Sequence, residues 1–79
     1  MKIGVRYVAL FREQTGCDSE YVNWNGGTAA ELFQLMAKKH PLLQNQAAAL
    51  VAINDDMSAW ETVLKEDDEV LFFPPVAGG

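Results

Sequence analysis

The chain has 79 residues, 49% of them hydrophobic, with six Lys and Arg against eleven Asp and Glu for a net charge of −5. That length predicts one domain that buries only about 60 to 65% of the surface its unfolded chain exposes. With no apolar run near the roughly 20 residues of a membrane helix, a membrane partner is not expected. Without a basic stripe to offset the acidic balance, neither is nucleic acid.

Lys2 and Arg6 interrupt the apolar N-terminus too early for a signal-peptide core, so a cytoplasmic protein is expected. Residues 2–8 (KIGVRYV) alternate, with Ile3, Val5 and Tyr7 on one face and Lys2, Gly4, Arg6 and Val8 on the other, as in a half-buried strand. REQTG (12–16) turns the chain at Gly16, and SEYVNW (19–24) supplies a second strand, which makes an antiparallel hairpin the economical pairing. Thr28 and Glu31 form a T-x-x-E capping box that starts a helix. Ala29, Leu32, Leu35 and Met36 give that helix an apolar face, Lys38 and Lys39 suit the dipole in its last turn, and Pro41 ends it.

LLQNQAAA (42–49) permits a short helical turn. LVAIND (50–55) reads as a buried strand because its apolar run is nearly continuous, and MSAW (57–60) as a brief edge strand. A glycine-free turn, EDD (66–68), leads into EVLFF (69–73), a final strand with Val70 and Phe72 on one face and Leu71 and Phe73 on the other. One helix between two pairs of strands packs across one face of a mixed sheet, whose first and last strands can lie parallel at its centre. The expected class is α+β, a β-grasp or ubiquitin-like roll over residues 1–73, followed by an extended tail over 74–79.

Two features exceed what this fold needs. Val8, Leu71 and Phe73, joined by Met57, fall on the sheet face that has no helix to cover it, and apolar neighbours on adjacent strands form a patch of the kind that marks a protein interface. The ending FFPPVAGG is the second. Pro74 and Pro75 end the strand and favour an extended conformation, after which Val76, Ala77, Gly78 and Gly79 shrink in side chain. Six extended residues reach about 20 Å, enough to carry a terminal carboxylate into another protein's pocket.

No catalytic group is legible elsewhere. Cys17, the only cysteine, can form no internal disulfide, and it has no histidine at a recognisable spacing. It is read as a structural or incidental thiol and His40 as a helix-end residue. No metal site is expected, and the acidic turn lacks the spaced ligands of a calcium loop and is read as solvated.

With these residues in hand, the sequence resembles the MoaD-type ubiquitin-like sulfur carriers, the small subunits of molybdopterin synthase. The resemblance runs through YVALFREQTG, the Thr-capped helix, VAIN (51–54), the acidic turn before EVLFFPPV, and the terminal AGG; the double proline between an aromatic strand and Gly-Gly is its most specific part. The family often has Asp-Gly-Asp where this chain has Glu66-Asp67-Asp68, so that turn is expected to be built differently.

The resemblance implies a protein that is no enzyme by itself and binds no cofactor. An E1-like adenylyltransferase would use ATP to convert the Gly79 carboxylate, reached through Gly78, into a transient acyl-adenylate, and sulfur transfer would leave a thiocarboxylate. The tail would then enter the synthase large subunit, which supplies the catalytic side chains, and two such sulfurs become the dithiolene of molybdopterin. Val8, Met57, Leu71, Phe73, Pro74, Pro75, Val76 and Ala77 would contact that partner. The alternatives are a carrier for thiamine thiazole, cysteine or tRNA thiolation, and a ubiquitin-like binding module with an inert Gly-Gly.

Overall fold

The computed structural model describes residues 1–43 and 49–74. Their elements in chain order are β1 (Lys2–Tyr7), α1 (Leu10–Thr15), β2 (Ser19–Asn23), α2 (Ala29–Lys39), β3 (Leu50–Ile53), β4 (Asp56–Ser58) and β5 (Glu69–Phe73). The strands form one mixed sheet in the order β2-β1-β5-β3-β4. The first and last strands lie parallel, from Gly4 opposite Glu69 to Tyr7 opposite Phe72, and the other pairings are antiparallel. This is the expected β-grasp arrangement, with β4 on the edge. The helical turn expected in 42–49 falls mostly on 44–48, outside the described residues.

Alternation decides which side of the sheet is dry. Ile3, Val5 and Tyr7 of β1, Val51 and Ile53 of β3, and Val70 and Phe72 of β5 are all buried beneath α2. The helix contributes Ala29, Leu32, Phe33 and Met36, an i, i+3, i+4, i+7 stripe. Leu35, expected on this stripe, is instead 40% exposed, and Phe33 holds the core position. Phe33 is the hub of an aromatic group: its ring centroid lies 5.0 Å from Phe72 and 5.5 Å from Trp60, both edge-on, and 5.9 Å from Phe11.

The start of α2 has its orphan donors satisfied from two directions. Thr28 Oγ1 accepts from the Glu31 N–H and the Glu31 carboxylate accepts from the Thr28 N–H, closing the capping box. The loop before β5 supplies the rest, with the Thr62 carbonyl accepting from Ala29 N–H and the Trp60 carbonyl from Ala30 N–H. Where the sequence suggested only a turn, REQTG, the chain makes the short helix α1. Phe11 is buried beneath it, and Gly16 ends it in the left-handed region at φ 75°, its N–H donating to the Arg12 carbonyl.

The acidic turn also departs from expectation. Asp68 is 5% exposed rather than solvated: its carboxylate accepts from Asn54 Nδ2 at 2.9 Å and from the Lys65 N–H at 2.7 Å. Asn54 Oδ1 in turn accepts from the Glu69 N–H, so the carboxylate ties the β3–β4 turn to the start of β5. Asp67, the middle residue of this turn, sits at φ 67°, a conformation that favours glycine.

Two substitutions separate these roles. Asp68→Ala strands the Asn54 amide and the Lys65 N–H and should lower unfolding free energy by about 1 to 3 kcal/mol in urea denaturation. Asp67→Gly relieves the left-handed backbone and should leave stability unchanged or raise it by up to about 1 kcal/mol. A marked loss in the second variant would show that the Asp67 side chain, not its backbone, supports the turn.

Candidate functional site

The sheet face away from α2 divides by chemistry. Toward β2 it carries Lys2, Arg6, Ser19, Tyr21 and Glu69, with the Lys2 ammonium 4.5 Å from the centre of the Tyr21 ring. The Glu69 carboxylate crosses Gly4, where a Cβ would lie 1.9 Å from Oε2 and displace it. Toward β3 and β4 the face is apolar. Leu71 pairs with Ala52, Ala52 with Met57, and Phe73 with Leu50, so these five side chains lie side by side on three strands. Met57 is 61% and Leu50 44% exposed, whereas Leu71 and Phe73 are half-buried.

Val8, also half-buried, follows β1 directly, one residue beyond the Tyr7–Phe72 pair, as Phe73 does on β5. The sequence reading assembled Val8, Met57, Leu71 and Phe73 on this side but passed over Leu50. The signal was available, because in a strand whose Val51 and Ile53 face the core, Leu50 must face away. Pro74 continues from Phe73 and is half-buried. Pro75, Val76, Ala77, Gly78 and Gly79 lie outside the described residues.

A second constellation lies on the helix side of the sheet, at its β2 edge. Glu20 Oε2 accepts from the Tyr7 hydroxyl at 2.7 Å and lies 2.7 Å from His40 Nε2, while Oε1 is bonded to the Lys39 ammonium. The Glu20 side chain is only 13% exposed. Burial alone would raise its pKa, but the hydrogen bonds from Lys39, Tyr7 and His40 outweigh that and bring it down from 4.5 to about 2. Burial and the same carboxylate push the Tyr7 phenol well above its ordinary value, and the bond to Glu20 raises Lys39. Cys17, read as unpartnered, belongs here as well: its Sγ, a Glu20 oxygen and a His40 ring nitrogen all lie within 4.8 Å of one another. Among the described residues, this cluster brings a thiol, a carboxylate and an imidazole, all metal-ligating groups, together.

Because the folded value of Glu20 lies below its ordinary one, its contribution is complete above about pH 4.5 and is lost as pH falls toward 2. Glu20→Gln should therefore cost on the order of 2 kcal/mol at neutral pH, discounted for the exposed Lys39, and almost nothing near pH 2. Urea denaturation of both proteins across this range checks it, and a loss that stays constant with pH would assign the effect to packing.

Residues 5–79 match the ThiS family. The chain is 34% identical over 80 residues to the molybdopterin synthase sulfur carrier subunit of Haemophilus influenzae, covering 98% of this chain and 99% of the relative. Among solved structures, SAMP1 from Haloferax volcanii shares the fold with a TM-score of 0.83 at 21% identity, both chains covered in full. A chain in the complex of subunits 1 and 2 of the molybdopterin-converting factor from Helicobacter pylori superposes with a TM-score of 0.69 at 25% identity, again over the whole of both chains. An uncovered apolar sheet face beside the strand that leads into the C-terminal residues thus accompanies a sequence match over nearly the whole chain, and the protein belongs to the ThiS family.

Proposed function

We infer that this protein is a sulfur carrier for molybdopterin formation, acting as the small, non-catalytic subunit beside a larger catalytic one. The observation that carries this reading is the full-length match to a relative named as a molybdopterin synthase sulfur carrier subunit. The apolar patch supports it, since a carrier must be held while its terminus reacts, and the H. pylori chain of the same fold was solved in complex with a second subunit. Among the described residues no helix is long and apolar enough to cross a membrane, which is compatible with a cytoplasmic site of action.

On this reading the reacting atom is the carboxyl carbon of Gly79. A carboxylate with a pKa of about 3.5 is an anion at neutral pH and a poor electrophile. Adenylation by an E1-like partner uses ATP, releases pyrophosphate and gives the carbon a leaving group; a sulfide-level nucleophile then displaces AMP and leaves a thiocarboxylate. Gly78 and Gly79 present no Cβ to a narrow channel. Pro74, Pro75, Val76 and Ala77 would form the stalk in that channel, with Val8, Met57, Leu71 and Phe73 seated on the partner's surface.

Extending the chain past Gly79 with a non-removable tag should leave the melting temperature nearly unchanged, because terminal residues make few contacts. It should abolish sulfur transfer, because even about 1 Å of misplacement can cost on the order of a hundredfold. Intact-mass measurement after incubation with the adenylating enzyme, ATP and a sulfur source should show one oxygen replaced by sulfur in the unextended protein alone. A tagged chain that still supports molybdopterin formation would leave the inert-tail binding module as the better reading.

The patch is tested separately. Phe73→Asp places an unpaired carboxylate in the proposed contact and should weaken binding to the large subunit by about 2 kcal/mol or more with the fold retained. Unchanged affinity in titration calorimetry would remove this face from the interface.

A further inference from the structure

We propose that Cys17, Glu20 and His40 form a binding site for one zinc ion. The three residues come from different elements: Cys17 follows the Gly16 cap of α1, Glu20 is in β2, and His40 caps the C-terminus of α2. Their Sγ, carboxylate oxygen and ring nitrogen already lie within 4.8 Å of one another. Zinc takes this donor set, with bonds of about 2.3 Å to sulfur and about 2.0 to 2.2 Å to nitrogen and oxygen. A tetrahedron with those bonds sets the ligand atoms about 3.3 to 3.6 Å apart. Glu20 Oε2 and His40 Nε2 are now hydrogen-bonded at 2.7 Å, closer than two ligands of one tetrahedron, so binding exchanges that hydrogen bond for bonds to the ion through side-chain rotation.

The surroundings suit a ligand site. The Glu20 and His40 side chains are 13% and 15% exposed, so they are sheltered from water. The Tyr7 hydroxyl donates to Glu20 Oε2 and would hold the carboxylate in place, as outer-shell donors do for metal ligands. The competing cation is the Lys39 ammonium on Oε1, but its side chain is 56% exposed and can return to water. Three protein ligands leave a fourth position for a water molecule. On binding, the Cys17 thiol gives its proton to solvent, His40 coordinates as neutral imidazole and Lys39 keeps its charge, so no oxidation or reduction is involved.

The test uses the full-length, untagged, reduced chain, stripped of metal by chelation and titrated with Co2+ as the optical probe. A thiolate-to-cobalt charge-transfer band should rise and saturate at one equivalent, with the ligand-field intensity of a tetrahedral site, and Zn2+ should displace it. Native mass spectrometry should show one zinc per chain. Cys17→Ser should lose the charge-transfer band, His40→Gln should bind at least about tenfold more weakly, and Tyr7→Phe should weaken binding about tenfold. Lys39→Ala should bind more tightly, because the competing ammonium is gone. Absence of the band at saturating Co2+ in the wild-type chain overturns the proposal without reference to any variant. So does a zinc affinity that Cys17→Ser and His40→Gln, folded by circular dichroism, leave unchanged.

Discussion

The parallel pairing of β1 with β5 is the constraint on which the remaining structure depends. Neighbouring strands cannot run parallel through a tight turn, so everything between Tyr7 and Glu69 must be spent returning the chain to the same end of the sheet. β2, α2, β3, β4 and the segment after Ser58 together make that return, and α2, which carries the chain from the end of β2 to the start of β3, covers one face. Val70 and Phe72, on the central strand, are completely buried there, while Leu71 and Phe73 on the same strand look the other way. A chain of this length has one substantial helix and two faces to treat, so the uncovered patch follows from the topology.

Two carboxylates hold the margins of this arrangement, and they act on different partners. Asp68 is bonded to a backbone N–H and a side-chain amide and fixes the turn that aims β5. Glu20 is bonded to three side chains and joins β2, β1 and the end of α2. In a protein with net charge −5, these two acids are withdrawn from the surface and matched with donors, as buried polar groups must be. The surplus negative charge therefore rests with the exposed acids, among them Glu66, Asp67 and Glu69 on either side of the buried Asp68.

The elements with strong periodic signals were legible in the chain: the alternation of β1 and β5, the capping box of α2, and the edge position of β4. Local spacing carried those features, and the β-grasp arrangement followed from their order. α1 was hidden because six residues with one buried side chain, Phe11, offer barely a turn and a half of pattern. Phe33 and Leu35 were exchanged because both lie near the helix's apolar stripe and only tertiary packing chooses between them. The polar cluster was illegible for a different reason. Cys17 and Glu20 are three residues apart, but His40 is twenty further on, and only the crossing of α2 over β2 brings it back. Asp68 was misassigned because an acidic run gives no sign of which member turns inward.

The position of β5 between two neighbours also has a mechanical consequence. Beyond Phe73 the chain leaves the sheet, and a pull applied there along the strand loads the ladders to β1 and β3 together, so their hydrogen bonds must shear in concert instead of opening one at a time from an edge. A terminus hung from β2 or β4 would load one ladder instead of two under the same pull. Whatever grips the end of this chain therefore acts on the most firmly seated strand in the domain, and the domain moves with it as a rigid body.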